Sequence, residues 1–222
     1  VSYHRQGNIH KGAVEIMDLN NPNFPIIVSQ ASFLNADINA VASDFEGNNN
    51  ARKIWLAMSD AIHGAQVIEI ESQGGLISEN YSRVNISNQL EGSGISASAN
   101  GITATNDYLY VTSGKTYGGT VVLNKDNLQG ISSESYSNAK YVAVNGRTNS
   151  SKVVSLVTGD NAFIKVGNVG SDLNTTSYGI GEIFHQNVVE TYRGKSTMEF
   201  SPINNNDIYV AKGKDGIALV NT

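Results

Sequence analysis

A chain of 222 residues with 15 basic and 20 acidic side chains, net charge −5, is long enough to bury a sizeable core without disulfide or metal staples. Only 16% of the residues are charged against 40% hydrophobic, and 22 glycines beside 3 prolines exclude a coiled coil and a charge-rich disordered tail. The acidic excess argues against nucleic acid as partner, because phosphate binding needs clustered Lys and Arg, and zero cysteines remove disulfides, thiolate nucleophiles and Cys-based zinc sites.

Taken in chain order, the elements repeat. A small residue after a turn, followed by alternating apolar positions, appears first as Gly12-Ala13-Val14-Glu15-Ile16-Met17-Asp18-Leu19, with a weaker strand at 26–28 behind it. A run of small and apolar residues at 38–43 follows, then a turn at 46–50 and a strand at 53–58. The signature then returns as Gly64-Ala65-Gln66-Val67-Ile68-Glu69-Ile70, with an outer strand at 77–81. The next unit reads 94–99, an Asn100-Gly101 turn, 108–111 and the signature Gly118-Gly119-Thr120-Val121-Val122-Leu123. After it come 141–144, an Asn145-Gly146 turn, 153–157 and Asn161-Ala162-Phe163-Ile164-Lys165-Val166. The last unit reads 197–200, a turn at 204–207, 208–211 and Gly216-Ile217-Ala218-Leu219-Val220. Asn and Gly tolerate the positive φ that tight hairpins demand, so these are turn signals with a mechanism.

The signatures begin at residues 12, 64, 118, 161 and 216, a loose period of about one β-propeller blade. No window keeps the i, i+3, i+4, i+7 spacing of a helix, and no apolar run is long enough to span a membrane. The expectation is an all-β chain: a β-propeller of four-stranded antiparallel blades, about four to five of them, in units near 1–34, 35–90, 91–137, 138–192 and 193–222. A β-sandwich is the alternative, disfavoured because the same strand order recurs in phase. Both ends carry the third strand of a unit, so a segment of a larger propeller is favoured over a closed five-bladed ring.

The segment Ala13-Val14-Glu15-Ile16-Met17-Asp18-Leu19-Asn20-Asn21-Pro22-Asn23-Phe24-Pro25 resembles the LVIVD repeat, a hydrophobic strand ending in Asp and followed by a proline-stiffened turn. The later copies lose both the Asp and the prolines. The resemblance implies a propeller blade and a bacterial surface, secreted or lipid-anchored protein, hence an extracytoplasmic location; it carries no catalytic residues. Asp18 and Asn20 suit bonds to local amides better than calcium, since the Gly and distal Glu of a calcium loop are missing.

Motif chemistry is sparse. Gly194-Lys195-Ser196 imitates the end of a phosphate loop, but Val189 stands where its first Gly belongs. His4, His10, His63 and His185 form no zinc spacing, and there is no G-x-S-x-G elbow. Glu69 and Glu71 share a strand face and are expected to meet solvent. Asn85, Asn149 and Asn174 begin glycosylation triplets that chance explains in so Asn-rich a chain.

What remains is the loop face of the repeat. Loops leading into the first strands place Asp37, Glu91, Lys140, Tyr192, Arg193 and Glu199 there, and loops between second and third strands add His63, Lys115, Tyr117, Asp160 and Lys214. Mixed charge with tyrosine suits recognition of a protein or glycan at the cell envelope. The expectation is therefore a non-enzymatic binding module with no catalytic residues, cofactor or metal. The alternatives are a hydrolase or lyase at the channel mouth, using Asp37, Glu91, Lys140, Arg193 and Glu199, and a structural spacer of a larger surface protein.

Overall fold

The computed structural model describes residues 2–5, 11–44, 51–60, 62–89, 98–114, 118–183, 198–212 and 215–222, of which 2–5, 11, 51, 88, 160, 182 and 183 are described by backbone alone. Its strands form five consecutive antiparallel meanders. The first sheet holds β1 (Ser2–Arg5), β2 (Lys11–Asp18) and β3 (Ile26–Leu34). The second holds β4 (Ala36–Ser43), β5 (Ala51–Asp60), β6 (Gly64–Gln73) and β7 (Leu76–Asn85). The third holds β8 (Ser98–Ala104), β9 (Tyr108–Gly114), β10 (Gly119–Asn124) and β11 (Gly130–Ser135). The fourth holds β12 (Ala139–Val144), β13 (Lys152–Val157), β14 (Gly159–Asn168) and β15 (Thr176–Ile183); the fifth holds β16 (Met198–Phe200), β17 (Asp207–Ala211) and β18 (Ile217–Asn221). The repeated signature is the strand β2, β6, β10, β14 or β18.

The sheets stack face to face, which explains why the second and third strands of the middle sheets, β5, β6, β9, β10 and β13, are buried on both faces, whereas β14, β17 and β18 alternate in burial. On β5, Ile54, Leu56 and Met58 join Val14 and Phe33 in the core between the first and second sheets. Trp55 and Ala57, the intervening residues, join Ala99, Leu109, Val111, Val121 and Leu123 between the second and third. On β13, Val153 packs with Tyr110, Val122 and Val142 toward the third sheet, while Val154 and Leu156 pack with Met198, Ile208 and Val210 toward the fifth. The first strands β4, β8, β12 and β16 stand side by side in that order, and β1, the second strand of its unit, packs against β4, with no comparable contact from β16 back to β1 among the described residues.

One strand differs from the sequence reading. Asn100-Gly101 is not a hairpin turn but the middle of β8, whose turn falls at Thr105–Asp107, where Thr105 N bonds Tyr108 O at 2.8 Å. Asn100 is the extra residue of a β-bulge, between Ala99, opposite Ser113, and Gly101, opposite Thr112. The glycine is needed for close approach: a Cβ on Gly101 meets Thr112 Oγ1 at 2.8 Å and the backbone of Tyr141 and Val142 at 3.2 Å.

Candidate functional site

Because every sheet is an up-and-down meander, strand starts and ends sort to two ends of the stack. The starts of the first strands and the turns between second and third strands share one end. Asp37 on β4, Lys140 on β12, Glu199 on β16 and His63 in the β5–β6 turn all lie there. Glu91, Lys115, Tyr117, Tyr192, Arg193 and Lys214 lie outside the described residues, as do His10, His185 and the Gly194-Lys195-Ser196 stretch; the side chains of Asp160 and His4 are likewise not described.

At this end the first strands are joined by a recurring device. β4, β8 and β12 each carry a bulge near their start, at Asn39, Asn100 and Lys140. Asn39 Nδ2 donates to Ala99 O at 2.7 Å, and Asn100 Nδ2 donates to Ala139 O at 2.8 Å. Each bulge thus turns a side chain toward the backbone of the next first strand. Lys140 occupies the same position on β12. Beside it, Tyr141 OH donates to Glu199 Oε1 at 3.4 Å; burial raises the Tyr141 pKa, and the Glu199 carboxylate adds to that rise. Asn39 gave no signal inside the strand run 38–43, and Asn100 reads as a turn former beside Gly101.

His63 is exposed and belongs to a different arrangement. Asp60, 7% exposed, accepts the backbone amides of Ile62 (2.7 Å) and His63 (3.0 Å), the His63 ring at 3.2 Å and, more distantly, Arg83 at 3.7 Å. Burial pushes the Asp60 pKa up, but the amides and the His63 ring outweigh it and hold the carboxylate below its ordinary value. Asp60 therefore ties the β5–β6 turn to β7. Glu69 corrects another expectation: it is 9% exposed rather than solvated, accepting Trp55 Nε1 at 2.7 Å and pairing with Lys53 at 3.2 Å, while Glu71 is exposed. Asp18 keeps its expected local role, accepting Asn20 N at 2.8 Å.

The opposite end holds a cavity of about 460 Å³ between the ends of three first strands. Val41, Ile102, Ala104 and Val144 form its apolar walls; Ser43, Thr103, Asn145 and Arg147 supply polar groups. Its rim is braced: Asn106 N bonds Arg147 O at 3.1 Å, Asn145 Oδ1 accepts Lys152 N at 2.7 Å, and Asn145 Nδ2 reaches Asn205 O at 3.3 Å. An extended strand rises about 3.3 Å per residue, so Asp37 and Ser43, six positions apart on β4, are separated by roughly 20 Å. The cavity is thus remote from the loop end that the sequence singled out. Among the described residues there is no group of three or more His, Cys, Asp or Glu placed to hold a metal ion, and no helix long and apolar enough to cross a membrane.

No family model matches the chain, and no curated protein does. Among solved structures it is similar to one titled as a crystal structure of the eukaryotic initiation factor, at 12% identity and a TM-score of 0.36 over 82% of this chain. The chain spans 55% of that structure's length.

Proposed function

We propose that this chain is a β-propeller-type repeat module, extracytoplasmic and LVIVD-like, that binds a protein partner by admitting a short peptide segment into the cavity at the first-strand ends. The cavity carries the reading: three sheets each contribute a strand end to one concave site of about 460 Å³, within the usual range for ligand pockets. Its chemistry favours peptide over sugar. Sugar rings are held by aromatic faces, and no aromatic residue lines this site, whereas aliphatic walls with scattered hydroxyl and amide groups suit a small apolar side chain and its backbone. The loop end, with Asp37, Lys140, Tyr141 and Glu199, is the second contact surface in this reading and suits a larger protein face.

Selection of a random peptide display library on the purified chain tests this. Enriched peptides are expected to lose binding to Ala104→Trp, which fills the cavity, and to keep binding to Glu199→Gln. Peptides that bind Ala104→Trp undiminished, or an oligosaccharide panel that binds where no peptide does, overturn the proposal.

A further inference from the structure

We infer that β3 is a pairing edge for a second copy of this chain, the two strands joining antiparallel around Gln30. β3 is the outermost strand of its sheet, and no strand covers its far edge among the described residues. Such an edge presents unpaired N–H and C=O groups, and proteins usually guard it with charge, proline or glycine. The other fourth strands follow that rule: β7 carries Glu79 and Arg83, β11 carries Gly130 and Glu134, and β15 carries Gly179, Gly181 and Glu182. β3 reads Ile26-Ile27-Val28-Ser29-Gln30-Ala31-Ser32-Phe33-Leu34, with neither charge, proline nor glycine inside it; its one interruption is a bulge at Val28, between Ile27, opposite Met17, and Ser29, opposite Ile16.

Its exposure agrees. Phe33 is buried against the second sheet, but Ile26 is 66% and Leu34 67% exposed, and Ile27 and Val28 are exposed beside them. The strand is nearly symmetric in chemistry about Gln30: apolar at both ends, small and polar in the middle. In an antiparallel self-pair, the apolar start of one β3 lies along Leu34 of the other, burying at both ends what a single copy leaves in water. Electrostatics permits this despite a net charge of −5, because the strand brings no ionised group to the junction. The nearest carboxylates are already engaged: Glu15 accepts Gln30 Nε2 at 2.9 Å, and Asp18 is held by Asn20. A second exposed apolar strip, at Tyr209, Ile217 and Leu219 on the fifth sheet, serves as the internal control.

Light scattering on the sized protein at low and high concentration is the test. The account expects two chains per particle, falling to one in Val28→Lys and in Ile26→Lys, with Leu219→Lys still paired. Thermal melts by circular dichroism confirm that each variant folds; two β3 variants are used so that one misfolding substitution does not decide the matter. Since the chain has no cysteine, Gln30→Cys gives a further readout: facing Cα atoms in such a pair lie about 4.5–5.5 Å apart, within disulfide reach, so oxidation should link two copies. A monomer at high concentration, a dimer indifferent to both β3 charges or abolished by Leu219→Lys, or no cross-link through Gln30→Cys each overturns the inference.

Discussion

Trp55 and Thr120 lie at similar depth in the stack, one between the second and third sheets, the other between the third and fourth, and their surroundings differ in kind. Around Trp55 the interface is hydrocarbon: Ala57, Ala65, Val67 and Ile86 from one side meet Leu109, Val111, Val121 and Leu123 from the other. Its polar links are either within one sheet, as in Trp55 Nε1 to Glu69, or apart from that packing, as in Asn39 to Ala99 O and Lys125 to Asp44 at 3.8 Å. Around Thr120 a layer of hydroxyls and ions crosses between the sheets. Thr120 bonds Ser155 Oγ at 2.8 Å and the Tyr136 hydroxyl, and Lys165 pairs with Glu134 while its ammonium sits 5.2 Å from the Tyr136 ring. Thr175 also donates to Glu134, at 2.7 Å. The same meander therefore tolerates two adhesives. An apolar interface gains from area and is forgiving of register; a polar layer adds little net stability but fixes which groups must face each other.

The sharpest way to break the comparison is to cut the largest side chain from the dry interface. Trp55→Ala should cost about 3–5 kcal/mol in urea unfolding, through lost burial, the cavity left behind and the stranded Glu69. In the polar layer, Lys165→Met should cost about 1–3 kcal/mol by leaving the half-buried Glu134 without its cationic partner, only Thr175 still donating to it. Adding Glu134→Leu should recover part of that loss, an outcome an apolar interface has no means of producing.

Tyr136→Phe should cost about 1 kcal/mol and carry a pH signature. Burial pushes the Tyr136 hydroxyl from 10.0 to about 12. The folded state thus keeps a proton the unfolded state releases, so its contribution is whole below pH 10 and is lost as pH rises from 10 toward 12. Equilibrium unfolding across that window should show wild type losing stability relative to Tyr136→Phe; parallel curves contradict the assignment. The smallest effect belongs to Thr112→Val. Thr112 Oγ1 is buried with no hydrogen-bond partner among the described atoms, so removing the hydroxyl should leave stability unchanged or raise it by a few tenths of a kcal/mol.

The sequence announced the stack through its third strands, because a strand whose faces pack against neighbouring sheets is rich in apolar residues: β6 and β10 are buried nearly throughout, β14 on alternate positions, and all three could be read directly. β8 was displaced because a bulge puts Asn100-Gly101 inside a strand, where local chemistry still spells a turn. The polar layer was invisible for another reason: Thr120, Tyr136, Ser155 and Lys165 come from separate segments, and each alone looks like a solvated position. Glu69 misled in the same manner, since its partner Trp55 is fourteen residues away but directly opposite in register. At the candidate site, attention to charged loop residues found the end bearing Asp37, Lys140 and Glu199. The cavity lies at the other end, walled by Val41, Ile102, Ala104 and Val144, which carry no chemical signal until three sheets bring them together.

Methyl-resolved NMR of the chain titrated with a library-selected peptide tests the central claim most directly, because each end has its own methyl probes. Binding at the cavity predicts shifts at Val41, Ile102, Ala104 and Val144, with Ala36, Ala139 and Met198 unmoved. Shifts confined to Ala36, Ala139 and Met198 contradict it.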